Sequence, residues 1–220
     1  MSGLAVYLGE WFETNRASVP RYIERYFHGV GKKPKPFDGR HFETFAGMGD
    51  PDRFEPTDIL AAGALSVTIP SGSALRLLRD EAEKFNSSLG DMPHGEFWEA
   101  KREVFESEGP AVKLFRILDA LPGVGTTKAT KLMAAKRPHL VPVQDTFIEE
   151  ELMEPGGRFW LPMYDQLSDS ALREFIGELT AGAPDEVSLL RRIDVSVWMH
   201  VNDRKKAERA AKGKTAPSAR

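Results

Sequence analysis

The sequence predicts an all-α protein, a multi-helix globular domain, and three observations carry that reading. Apolar residues recur at helical spacing through most of the chain; in 185–201, Val187, Leu190, Ile193, Val197 and Trp198 fall on one side. Stretches rich in helix breakers cut this pattern into helix-sized lengths: GKKPKPFDG at 31–39, NSSLGDMPHG at 86–95 and EPGGR at 154–158. The 220 residues, 41% hydrophobic and 29% charged, suffice for one core without covalent staples.

Taken in order, helices are expected at 4–14 and 18–28, with 40–46 left unassigned. Thr57, after Pro56, can cap a helix running to about Val67, although LSVTIP (65–70) reads equally as a short β element. Ser71 opens a helix over 73–87, and further helices are expected at 95–106, 109–120 and 126–136. After the link PHLVPVQ (138–144), helices follow from Thr146 to about Met153 and at 159–167, 169–181 and 185–201. Residues 1–203 therefore read as one helical domain containing a helix-hairpin-helix at 117–136. Residues 204–220 read as a basic tail, disordered or a frayed helical extension.

Composition removes several chemistries. There is no cysteine, which excludes disulfides, thiolate zinc sites, iron–sulfur clusters and cysteine nucleophiles. No apolar run reaches the roughly 20 residues of a membrane span, and MSGLAVYLGEWFE is not a secretion signal. No membrane partner and a cytoplasmic location are expected. The five histidines are dispersed, so no metal site is expected. The net charge of −3 is unevenly spread: residues 204–220 carry seven basic side chains against Glu208 alone, a balance of +6, which leaves −9 for the body. An acidic body with a basic tail is a mixed signal for a nucleic-acid partner.

The informative segment is ILDALPGVGTTKATKLMAAKRP, residues 117–138. Leu118 and Leu121 end one helix, Pro122 and Gly123 stop it, and Gly125 permits a tight turn. Thr126 or Thr127 can cap the next helix, and small Ala129 lets the two helices approach. Such a turn presents free backbone N–H groups and the positive end of a helix, a ready anion site. A nucleic-acid phosphate would sit on Gly123, Val124, Gly125, Thr126 and Thr127, with Lys128, Lys131, Lys136 and Arg137 nearby; this positions a protein on DNA without reading sequence. The plain alternative is an ordinary joint between two core helices. No cofactor is expected, though turns of this kind can hold potassium or sodium through backbone carbonyls.

LPGVGTTKATKLMAAKRPHLVPVQDTFI resembles the helix-hairpin-helix DNA glycosylases of the endonuclease III and MutY superfamily, over about thirty residues. Those enzymes pair a Leu-Pro-Gly-Val-Gly hairpin with a later Val-Asp-Thr whose aspartate is catalytic, which falls here on Asp145. The resemblance implies that duplex DNA is the partner, that a base is flipped out of the stack, and that Asp145 stabilises positive charge on the sugar or activates water. An aspartate before Thr-Phe-Ile is also a good helix N-cap. Bifunctional members carry a lysine nucleophile where this chain has Thr127, so the resemblance implies a monofunctional enzyme. The helix FIEEEL, with Glu149, Glu150 and Glu151, departs from a DNA-facing surface, since each acid repels phosphate. More broadly, DGRHF, VPVQD and RRIDVSVWM resemble an uncharacterised bacterial family. A non-catalytic nucleic-acid binder and a protein–protein module, with the hairpin only a joint, are the alternative readings.

Overall fold

The computed structural model describes residues 7–31, 35–153 and 159–215. Twelve α-helices run through the described residues: α1 (Leu8–Thr14), α2 (Val19–Phe27), α3 (Phe42–Ala46), α4 (Pro56–Ala64), α5 (Ser71–Leu75), α6 (Ala82–Gly90), α7 (Pro110–Asp119), α8 (Gly125–Lys136), α9 (Thr146–Leu152), α10 (Trp160–Leu167), α11 (Ser170–Leu179) and α12 (Leu189–Thr215). Short 3-10 turns at Asp38–His41 and Arg102–Phe105 and a π turn at Arg76–Asp80 complete the set. No strand occurs among the described residues, and no helix among them is long and apolar enough to cross a membrane.

Helix α8 is the axis of the molecule. Every residue from Ala129 to Lys136 is buried, because α3, α4 and α7 pack around it. Ala134 and Ala135 are small enough to admit Phe42 of α3 and Ala61 of α4 at close range. Helix α12 closes the other side against α2, α9 and α11. The apolar side expected for 185–201 is its buried side, with Leu190, Ile193, Val197 and Val201 all in the interior.

Three expectations need correction. The β element at 65–70 is absent: α4 ends at Ala64, Leu65 and Ser66 turn, and the following residues run without a partner strand to α5. Thr57 does not cap α4; Glu55 does, in a reciprocal box with Asp58. The helix over 95–106 is reduced to the turn at 102–105. Gly95 has φ +102°, and Phe97 N–H donates to the His139 carbonyl at 2.8 Å rather than to a helical neighbour. Of the two alternatives for the basic tail, the described part is helical: α12 continues to Thr215. Arg204 and Lys205 hold it down by pairing with Glu151 and Glu150 of α9, each at 2.6 Å. The tail's last residues, 216–220, and the EPGGR turn lie outside the described residues.

Candidate functional site

The turn between α7 and α8 is built as its residues require. Gly123 and Gly125 both sit in the left-handed region, at φ +71° and +65°, which an L side chain occupies only with strain. A Cβ on Gly123 would stand 3.0 Å from Pro70 Cγ, whereas one on Gly125 would meet open space. Ser73 Oγ donates to the Pro122 carbonyl at 2.7 Å and ties the turn to α5. Among the described residues no acceptor faces the N–H groups of Gly123, Gly125 or Thr126, as expected at an uncapped helix start. Val124 instead points inward and is buried.

The flanking residues divide. Lys128 curls back and donates to the Gly123 carbonyl at 2.6 Å, which occupies an oxygen that an alkali ion at this turn could use. Thr126 Oγ1 donates to Asp119 at 3.3 Å. Thr127 is half-buried one helical turn before Lys131. Lys131, Lys136 and Arg137 correct the sequence expectation, because all three are buried and none faces the turn's solvent side. Lys136 pairs with Asp58 and bonds the Asp50 carbonyl, both at 2.8 Å. Arg137 spreads over the carbonyls of Pro51, Pro93 and Leu89 and the carboxylate of Asp52. They are clamps for the 50–52 loop, drawn inward because α8 is surrounded.

Lys131 leads to a second feature. Its ammonium donates to the Leu65 carbonyl at 3.0 Å and lies 3.7 Å from Asp145 Oδ2. Asp145 is the N-cap of α9, with Oδ1 accepting from Phe147 and Ile148 N–H at 3.0 and 3.2 Å. The cap is thus real, and the second carboxylate oxygen remains turned toward Lys131. Both residues line a cavity of about 180 Å³ with Tyr26, Phe37, Asp194 and Trp198 among its walls. Asp38 and Ser66 at its rim are exposed, so it opens to solvent. Ser66, at φ +61°, is the one non-glycine left-handed residue among the described residues, and strain of this kind gathers at functional sites.

The cavity floor is a buried ionic cluster. Arg191 makes a short pair with Asp194, donates to Tyr26 Oη at 2.6 Å, and lies 3.5 Å from Glu43. Burial opposes the Arg191 charge, but the combined field of Tyr26, Asp194 and Glu43 outweighs it and holds the guanidinium protonated. Burial raises Asp194 to about 6, with the Asp145 charge adding to the rise and Arg191 opposing it. Burial likewise raises Glu43 and lowers Lys131, the latter partly offset by Asp145. Phe37 stacks on Tyr26 with centroids 5.3 Å apart and meets Trp198 edge-on at 5.5 Å. A small aromatic-walled cavity with carboxylates and an amine of shifted protonation is the usual mark of a chemical site.

Sequence reasoning placed Asp145 here and missed Tyr26, Glu43 and Ser66. They come from distant segments and carry no local motif. Arg191 and Asp194 were visible in RRIDVSVW as an ion pair, but nothing in that string indicates a cavity wall. The acids of FIEEEL are also accounted for: Glu149 accepts from Gln144 at 2.8 Å, and α12 neutralises Glu150 and Glu151. A wider cleft of about 320 Å³, with Phe115, Arg116, Thr126, Gln144 and Trp160 among its walls, lies on the other side of the turn. Gln144 and Asp145 therefore face different cavities. No group of His, Asp and Glu among the described residues could hold a metal ion.

A family model described as "Family of unknown function (DUF6308)" matches residues 19–201. No curated protein and no solved structure matches the chain.

Proposed function

We propose that this chain, which belongs to that family of unknown function, binds duplex DNA through a helix-hairpin-helix at the α7–α8 turn and excises one base in the cavity beside Asp145. The observation that carries this reading is the placement of turn and cavity on one helix. The 65–70 segment joins them too: Pro70 packs beside Gly123, and Ser66, four residues earlier, lines the cavity, at most about 14 Å of chain away. A strand whose phosphate rests on the open N–H groups of Gly123, Gly125 and Thr126 would pass within one nucleotide or two of the cavity mouth.

The chemistry follows from the walls. The cavity, about 180 Å³, is smaller than the roughly 300–1,000 Å³ of drug-sized sites, so it admits only a small guest, of the size of a flipped nucleobase. Phe37 and Trp198 wall it with ring surface, while Tyr26 is held between Phe37 and the Arg191 guanidinium. As the glycosidic bond breaks, positive charge develops on the sugar. Asp145 Oδ2 can stabilise that charge or take a proton from the attacking water, while Oδ1 stays fixed by the α9 cap. Lys131 bridges Leu65 and Asp145 and acts as a positioning residue for the carboxylate. Asp194 stays paired with Arg191 on the cavity floor, where burial raises it to about 6. A DNA substrate is consistent with a cytoplasmic location.

The second reading is a binder without catalysis, favoured by the fact that Asp145 already has structural work as an N-cap. The test uses labelled duplexes, each carrying one of a panel of damaged or mismatched bases. Wild type is expected to bind in modest salt and to release base from at least one duplex. Gly125→Arg should bind at least tenfold more weakly, and Asp145→Asn should bind normally and release nothing. Binding without release by any variant would leave the non-catalytic reading. No binding by wild type would overturn the nucleic-acid reading and leave a protein–protein module.

A further inference from the structure

The cavity mouth has a second neighbour besides the hairpin. Trp198 and Phe37 form one side of it, and Trp198 belongs to α12, which runs on past the mouth to Thr215. Residues seven and eleven places after Trp198 return to its face within about 20° at 3.6 residues per turn; these are Lys205 and Arg209. Lys206 leans toward the mouth from the neighbouring row, its ammonium 5.8 Å from the Phe37 ring centroid. Lys35, two residues before Phe37, is exposed as well.

The cations of this extension do two different jobs. Arg204 and Lys205 are spent on Glu151 and Glu150, and Lys205 also lies 4.3 Å from the Phe147 ring centroid. These contacts pin the first turn of the extension to α9 and fix its direction. Lys206 and Arg209 follow on the pinned helix; both are exposed, and among the described residues neither forms an ion pair. Lys206 stands beside the mouth at Phe37, and Arg209 lies about one turn further along the helix; an exposed charge placed there adds little to the stability of the fold. They suit an anionic polymer passing over the mouth.

We propose that α12 beyond Asp203 is a second phosphate-binding surface, in which Lys206 and Arg209, with Lys35, grip the DNA strand on the Phe37 and Trp198 side of the cavity. The inference rests on the DNA-binding reading and deepens it: the backbone is held on both flanks of the flipped nucleotide, by backbone amides on one and side-chain cations on the other. Because α12 also supplies Trp198, Asp194 and Arg191, strand grip and cavity wall are one rigid element.

The test is fluorescence-anisotropy binding to a duplex with one central mismatch, across a salt series, for wild type and Lys206→Gln/Arg209→Gln. Two lost phosphate contacts should flatten the slope of log Kd against log salt by about 1.8, at about 0.9 per phosphate. A neutral methylphosphonate on one flank of the mismatch should weaken wild type several-fold and leave the double variant unchanged. Lys206→Arg/Arg209→Lys should restore the slope, which separates lost charge from a frayed helix. Wild-type binding with an unchanged slope in the double variant would overturn the second surface while leaving the hairpin reading intact. Absence of wild-type binding would overturn both.

Discussion

Helix α8 carries two buried lysines five residues apart, and they differ in kind. Lys136 and Asp58 are both fully enclosed, in direct contact at 2.8 Å, with the Asp50 carbonyl as a further partner. Lys131 and Asp145 are looser, 3.7 Å apart, and border a cavity that opens past Ser66 and Asp38. The sealed pair is a staple between α8 and α4. The open pair holds an amine and a carboxylate where a guest can reach them. Burial of a charge therefore does not by itself mark a functional site. What separates the two is unfilled space next to the charge and whether the partner's remaining oxygen is committed.

Substitutions can break this contrast, beginning with the sealed pair. Lys136→Met leaves Asp58 buried without its cation, and losing one partner of such a pair costs about 3–5 kcal/mol. A chain of this length should then melt at least about 6 °C lower, measurable by calorimetry. Lys131→Met should cost less, about 1–3 kcal/mol, because Asp145 keeps two backbone N–H partners and water can enter the cavity. If Lys131→Met were the more destabilising change, the open pair would be the structural one.

A third effect depends on pH. The folded protein holds the Asp194 proton up to about 6, against 3.8 for an unperturbed aspartate. Between those values the folded state binds more protons than the unfolded state, so this group's contribution to stability falls as pH rises from about 4 to 6 and is level above that. Asp194→Asn should remove this fall, seen as a flatter difference between urea-unfolding free energies at pH 4.5 and pH 7. A wild-type and Asn curve of identical slope would place Asp194 outside the buried cluster. The smallest change in stability is expected for Asp145→Asn, below about 1 kcal/mol, since asparagine caps helices as well as aspartate.

The same contrast explains what could be read from sequence. The expected helices at 109–120 and 126–136 match α7 and α8 to within a residue, because Pro110, Pro122, Gly123 and Gly125 act locally on the backbone. Asp145 was legible as a cap for the same reason. Lys131 was misplaced because helical spacing says which residues share a face, not whether that face is covered; α3, α4 and α7 cover it here. The sequence left the tail between disorder and helix because its order depends on Glu150 and Glu151, more than fifty residues away. Truncation after Asp203 would therefore remove the partners of α9 as well as the tail's charge, and point variants at Lys206 and Arg209 are the cleaner probe.

The most direct test of the central claim is whether a base enters the cavity. A duplex carrying 2-aminopurine opposite a mismatch fluoresces more strongly when that base leaves the stack. Wild type should raise the signal on binding. Ala64→Phe, which places a ring into the cavity from the end of α4, should bind with similar affinity and raise it little. Binding without any rise, or an equal rise with the cavity filled, would contradict the account.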